Sequence, residues 1–280
     1  MQLNPSKLPT SHVPTQSNLY LAFDGHCIEI VTNDDRALVW IEQNFGAFLV
    51  AEPRQIVDRL TVWREGEEYT LSVGNTAIVR GTLWEVLSPF KSEWLKCLIA
   101  ARSDLMWLHA GGAAFGGKAV VFSGVSGRGK STLVTGLCDR GWTYLSDDVL
   151  PLDPRSGKVI PFPLTPRVRQ SVGEEVPPEA VDGLRRTQID LKAEAISGEA
   201  MPISALIFPH YRHNGTTELV PYSPANAALE LLQNCMNFCH HKQAGVRYLC
   251  QLLSELPTYR LWFSEGAEAA ELVANLYKNL

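Results

Sequence analysis

Gly124-Val125-Ser126-Gly127-Arg128-Gly129-Lys130-Ser131-Thr132 is the stretch that decides how this chain is read. It fits the pattern G-x-x-x-x-G-K-[ST], with a further glycine inside the loop. Apolar Ala119-Val120-Val121-Phe122 precedes it, as a buried strand does. Thr132-Leu133-Val134-Thr135-Gly136-Leu137-Cys138 follows it with helical character. Strand, glycine loop and helix in that order are the context a phosphate-binding loop requires. The glycines let backbone N–H groups approach phosphate oxygens with no Cβ in the way. The helix opening near Lys130 turns its partial positive end toward the anion. Lys130 adds a mobile charge for the outer phosphates, and Ser131 offers a hydroxyl to Mg²⁺. Gly124, Ser126, Gly127, Arg128, Gly129, Lys130, Ser131 and Thr132 are therefore expected to hold a nucleoside triphosphate or a related polyphosphate.

The next segments add acid–base chemistry. Trp142-Thr143-Tyr144-Leu145-Ser146 reads as a strand that ends in Asp147-Asp148. One short helix and one strand use up the chain between Lys130 and Asp148. The two carboxylates thus arrive at the phosphate end of the sheet, where ligands of such folds sit. There they can ligate Mg²⁺ or take a proton from a hydroxyl. Met106-Trp107-Leu108 runs into His109, one hairpin before the loop's strand. A single histidine is a weak signal in itself.

Composition sets the wider frame. The chain has 280 residues, 45% hydrophobic and 20% charged, enough for a sizeable core. Its formal net charge of −5 gives no overall basic face, so nucleic acid is not the expected partner. No apolar run is long enough to span a bilayer. Residues 1–17, rich in Pro, Ser and Thr, are expected to be a disordered tail and not a secretory signal. Six scattered cysteines beside a nucleotide motif fit a reducing cytoplasm. Cys235-x-x-x-Cys239-His240-His241 has metal-like spacing. It also lies in an expected helix over 227–253, where Leu231, Leu232, Cys235, Phe238 and Cys239 would form an apolar stripe.

Before the loop, Leu19–Phe23 and Cys27–Val31 read as a hairpin across Asp24-Gly25, and Tyr69–Val73 and Thr76–Arg80 as another across Gly74-Asn75. A helix is expected from Asp34-Asp35 to about Phe45 and another over 89–102; residues 82–87 are either extended or helical. A small α+β module over 18–95 and a larger α/β domain over 96–280 follow from this. Residues 165–203, proline-rich and poorly patterned, are expected to be a functional loop that closes over substrate. A core strand at Ile203–Phe208, a strand at Thr258–Phe263 and a last helix at 267–279 complete the chain.

Leu108-His109-Ala110-Gly111, the loop through Lys130-Ser131, and Leu145-Ser146-Asp147-Asp148 together resemble the C-terminal catalytic domain of HPr kinase/phosphorylase, over roughly residues 105–155. The resemblance implies a P-loop kinase domain of the HPr-kinase/phosphoenolpyruvate-carboxykinase type that uses ATP and Mg²⁺. It implies that Lys130 binds phosphate, Ser131 ligates Mg²⁺, Asp148 accepts a proton, and His109 supports it; Asp147, beside Asp148 at the strand end, is expected to attend to the metal. The family's Glu after Lys-Ser is Thr132 here, and its later Gly-rich segment has no clear counterpart. Residues 202–238 look instead like HPr-kinase-related proteins of bacterial peptide and surface-polymer gene clusters. The expected activity is transfer of the ATP γ-phosphoryl group to a serine of a peptide or protein. A small-molecule kinase acting on free serine or a sugar, or a nucleotide-binding module without transfer, are the other readings. A homo-oligomer is expected, with neither nucleic acid nor membrane as partner.

Overall fold

The structure, a computed structural model, describes residues 16–165, 167–169, 186–188 and 198–278. The expected tail over 1–17 and the expected lid over 165–203 fall largely outside these residues. The chain divides into two compact units, one ending at Ala101 and the other running from Arg102.

The first unit is built on a five-stranded sheet in the order β1 (Ser17–Phe23), β2 (His26–Thr32), β3 (Gln55–Glu65), β4 (Glu68–Val73), β5 (Thr76–Gly81). Its two hairpins fall where the turn residues place them, with Asp24, Gly25 and Gly74 at positive φ. Strand β3 is not evident from the sequence. It lies parallel to β2, because helix α1 (Asp35–Phe45) carries the chain back across the sheet between them. Asp34 caps α1 by accepting from the backbone N–H groups of Arg36 and Ala37. Residues 82–87, open between two readings, are helical: Thr82 and Glu85 cap each other reciprocally at the start of α2 (Leu83–Leu87). Helix α3 (Phe90–Ala101) brings Phe90 and Trp94 against Phe45 and Phe48, edge to face, to close this core.

The second unit is a mixed α/β structure. Its elements are β6 (Met106–Leu108), β7 (Ala110–Phe115), β8 (Lys118–Ser123), α4 (Lys130–Cys138), β9 (Thr143–Ser146), β10 (Leu150–Asp153), β11 (Lys158–Val159), β12 (Arg167–Arg169), β13 (Arg186–Gln188), β14 (Met201–Tyr211), β15 (Glu218–Pro221), α5 (Pro224–Gln233), α6 (Phe238–Glu255), β16 (Thr258–Phe263) and α7 (Gly266–Lys278). The main sheet runs β6-β10-β11-β14-β8-β7-β9, with β16 and then β15 joined to the far part of β14. Strand β8 is buried on both faces, which is why it reads as an unbroken apolar run. Val120 and Phe122 point to a core shared with Leu133, Val134 and Leu137 of α4 and Ala270 and Val273 of α7. Ala119 and Val121 point the other way, to Ala227 and Leu231 of α5 and Leu249 and Leu253 of α6.

One expectation is overturned. The single helix expected over 227–253 is two helices, α5 and α6, separated by Asn234 to Asn237. Tertiary hydrogen bonds cause the break. Met236 N–H donates to the Trp107 carbonyl, while the Asn237 side chain accepts from Trp107 N–H and donates to the Leu105 carbonyl. Cys235 is buried and its thiol donates to Asn237 Oδ1, whereas Cys239 is exposed, so no common apolar stripe joins the two cysteines. Among the described residues, no helix is long and apolar enough to cross a membrane.

Candidate active site

Sheet direction brings the expected residues together. Strand β7 runs antiparallel to both β8 and β9. Its N-terminal end therefore coincides with the C-terminal ends of its two neighbours. Ala110 pairs with Ser123 and Gly112 with Ser146. His109, Gly124 and Asp147-Asp148, far apart in sequence, consequently share one edge. The small residues of β7 permit the fit: a Cβ on Gly111 would lie 3.0 Å from Val134 Cγ2, and one on Gly112 would lie 2.9 Å from Leu150 Cδ2.

The loop has the conformation its glycines allow. Gly124, Gly127 and Gly129 all have positive φ, and Gly129 is the N-cap of α4 at φ +93°. A Cβ there would also meet Phe263 Cζ at 2.3 Å. Ser126 is exposed and Ser131 half-buried in the first turn of α4. Thr132 is exposed, its methyl against Gly266, where an added Cβ would come within 2.4 Å of Thr132 Cγ2.

Lys130 is buried at the mouth of the loop, only 5% exposed. Its ammonium donates to the carbonyls of Gly124 (2.5 Å) and Val125 (3.2 Å) and faces His109 Nε2 at 3.1 Å. Burial pushes its pKa down to about 8, against the opposing Coulomb support of Asp148 and Asp147. The other nitrogen of His109, Nδ1, lies 3.1 Å from Asp148 Oδ1. These two contacts assign the tautomer: Nδ1–H donates to the carboxylate, and the Nε2 lone pair accepts from the ammonium. A carboxylate, an imidazole and an ammonium thus stand in a row. His109 is itself held by its backbone N–H, which donates to the Asn234 carbonyl at 2.7 Å.

Beyond β9, the buried Ser146 hydroxyl accepts from the N–H groups of Asp148 and Val149, turning the chain so that the Asp148 carboxylate is partly exposed. Asp147 points inward at 7% exposure and accepts from the Tyr144 hydroxyl at 3.0 Å. The two neighbours therefore have different surroundings.

No described cluster of three or more His, Cys, Asp or Glu side chains could hold a metal ion. The oxygen donors present, Ser131 and the two aspartates, suit Mg²⁺, which takes one or two carboxylates and completes its shell with water and substrate phosphate. The glycine cradle, its helix N-terminus and Lys130 likewise suit a triphosphate.

Arg128 takes a different direction from Lys130: its guanidinium contacts the His210 ring at the end of β14. It lines a cavity of about 520 Å³ together with His210, Tyr222, Glu230, Arg260 and Trp262. Arg260 pairs with Glu230 at 2.7 Å and lies 4.1 Å from the centre of the Tyr222 ring. Burial and the nearby Arg128, Arg260 and Arg212 hold the His210 imidazole below its ordinary pKa. Sequence reading missed this group, whose members come from the loop, two strand ends, a short edge strand and α5. Only the unusual polar and aromatic ends of two core strands, His210-Tyr211 and Trp262, hint at it.

No protein-family model matches the chain, and no curated protein matches it in sequence. Among solved structures it is similar to the Hpr(Ser) kinase/phosphatase from Coxiella burnetii, at 15% identity and a TM-score of 0.32, over 62% of this chain and 94% of that chain. An overlap that slight carries neither fold nor function across, so the functional reading rests on the residues themselves.

Proposed function

We propose that this chain is a kinase that uses ATP and Mg²⁺ and moves the γ-phosphoryl group to a hydroxyl, the acceptor being a serine of a peptide or protein. The observation that carries the reading is the row Asp148–His109–Lys130 at the mouth of a glycine loop. Binding alone needs the loop and the lysine. A carboxylate held 3.1 Å from an imidazole beside them is what proton removal from an acceptor needs.

In this reading the loop N–H groups and the start of α4 neutralise the phosphate oxygens, and Lys130 adds charge where the transferred group sits. Ser131 and Asp147 would hold Mg²⁺, which screens charge on the phosphates. Asp148, the more exposed carboxylate, accepts the proton of the attacking hydroxyl. His109 holds Asp148 in place through Nδ1–H and keeps Lys130 directed into the site. The resemblance of these three segments to the HPr kinase/phosphorylase domain supports the same roles.

The test is transfer from γ-labelled ATP to a panel of serine peptides, free serine and sugars, with Asp148→Asn as control. Label on a peptide serine that depends on Asp148 supports the reading. Label on a small molecule alone moves the acceptor class. Tight nucleotide binding with no transfer to any acceptor would make the chain a binding module.

A further inference from the structure

We infer that Tyr144 is a positioning residue for the Asp147 carboxylate, and that its buried hydroxyl fixes which of the two adjacent aspartates serves a small divalent cation. The inference rests on the kinase reading, in which Ser131 and Asp147 would hold Mg²⁺, and adds the side chain that sets Asp147 apart from Asp148.

The strand sets the geometry. Side chains alternate along β9, so Tyr144 joins the core on the α4 side of the sheet while Leu145 joins the opposite one. The Tyr144 ring is fully buried with Leu133, Val134 and Leu137 of α4, the helix that carries Ser131 in its first turn. Close packing around the ring leaves its hydroxyl little freedom. That hydroxyl stands 3.0 Å from Asp147 Oδ1 and 2.8 Å from the Leu164 carbonyl oxygen. The segment that brings Leu164 there is itself tied to the sheet. Ile160 N–H donates to the Pro151 carbonyl at 2.8 Å, and Phe162 N–H to the Leu145 carbonyl at 2.9 Å.

The proton count gives this arrangement its meaning. A phenol has one proton to donate, and two acceptors lie within its reach. The charged acceptor makes the stronger bond, so the proton is directed to Asp147. Asp147, only 7% exposed, is thereby held at one oxygen, whereas Asp148 meets His109 and stays partly exposed. Mg²⁺ demands near-ideal octahedral geometry, so a carboxylate oriented in advance holds it at lower concentration. When Asp147 serves a cation, its lone pairs are shared, and the Leu164 carbonyl offers the hydroxyl a second acceptor. The buried hydroxyl is satisfied in both states, which avoids the penalty of an orphaned polar group.

Tyr144→Phe removes the hydroxyl and keeps the ring. The experiment titrates ATP into the full chain by calorimetry, in EDTA and over a series of free Mg²⁺ concentrations. The wild type is expected to gain ATP affinity with Mg²⁺. Tyr144→Phe is expected to need about tenfold to a hundredfold more Mg²⁺ for the same gain, the usual effect of losing a group that orients a metal ligand. In EDTA the two proteins are expected to bind ATP equally, which also shows that the variant is folded with its loop intact. In an Asp147→Asn background, Tyr144→Phe is expected to add nothing, since it acts through that carboxylate. An unchanged Mg²⁺ dependence in Tyr144→Phe overturns the inference and leaves the kinase reading standing. Equal loss of affinity with and without metal overturns it too, because the hydroxyl would then only support the fold. So does a full additional effect in the Asp147→Asn background. Failure of the wild type to bind ATP in either medium overturns the kinase reading and this inference with it.

Discussion

His109 stands 3.1 Å from Asp148 through Nδ1, and that contact decides what its other nitrogen can do. With Nδ1–H committed to the carboxylate, Nε2 is an acceptor, and the nearest donor is the Lys130 ammonium. Two residues from different inter-strand turns thereby orient one another and the lysine that opens α4.

Asp148→Asn keeps the shape of the side chain and its capacity to accept from His109, but it is no base. Turnover is expected to fall by about 10²- to 10⁴-fold, the usual contribution of a positioned base. Nucleotide affinity is expected to change little. His109→Ala is expected to cost less turnover than Asp148→Asn. Steady-state transfer measured beside nucleotide titration separates these effects, and a wild-type rate in Asp148→Asn places the base elsewhere.

Lys130→Ala removes a charge-assisted contact with phosphate and is expected to weaken nucleotide binding by on the order of 1.5–3 kcal/mol. Isothermal titration reads this directly.

The same lysine gives two pH effects of opposite sense. Its folded-state pKa of about 8 lies below the ordinary 10.5. In the free protein the ammonium loses its proton as pH rises through about 8, so affinity for triphosphate is expected to fall above that point. Stability runs the other way. Between about 8 and 10.5 the unfolded chain holds the proton that the fold has released, so the lysine's contribution to stability rises with pH across that window. Lys130→Met should remove both trends. Titrations and urea unfolding of the two proteins at pH 7, 8 and 9 give the comparison.

Gly129→Ala meets two separate obstacles, φ +93° and the Phe263 ring at 2.3 Å. The left-handed backbone alone costs about 1–2 kcal/mol for an L-residue, and overpacking adds about 1–3 kcal/mol. Adding Phe263→Leu is expected to recover only the second part. Denaturant midpoints of the single and double variants test this partition.

Asn237→Ala leaves the buried Trp107 N–H without its side-chain acceptor and leaves the Leu105 carbonyl with His241 Nε2 as its side-chain partner. A loss of about 1–3 kcal/mol is expected. Because the same turn supplies the Asn234 carbonyl to His109, turnover should fall as well, with nucleotide affinity less affected. Unfolding curves and kinetics on one preparation distinguish the two consequences.

Much of the second unit is legible because local signals agree there. Ala119–Phe122 is apolar on every position, as a strand covered on both faces must be, and the glycines after it have no use in a regular element. Strand β3 is hidden by Asp58 and Arg59, which break its alternation; Arg59 reaches Glu29 at 2.6 Å on the neighbouring strand. The break between α5 and α6 is invisible because Asn234-Cys235-Met236-Asn237 is compatible with a helix. Bonds to Trp107 and Leu105, remote in sequence, decide against it. His109 is a weak signal alone, and its place becomes evident only when the β7–β8 hairpin is laid beside β9. The cavity beside Arg128 is hidden for the same reason: its walls come from segments that only the fold brings together.

The β7–β8 hairpin turns at Gly116-Gly117, at positive φ and with open space where a side chain would stand. That turn lies at the opposite end of both strands from His109 and Gly124. The chain can therefore be lengthened, labelled or given new termini there without disturbing the pairing that aligns His109 with Gly124.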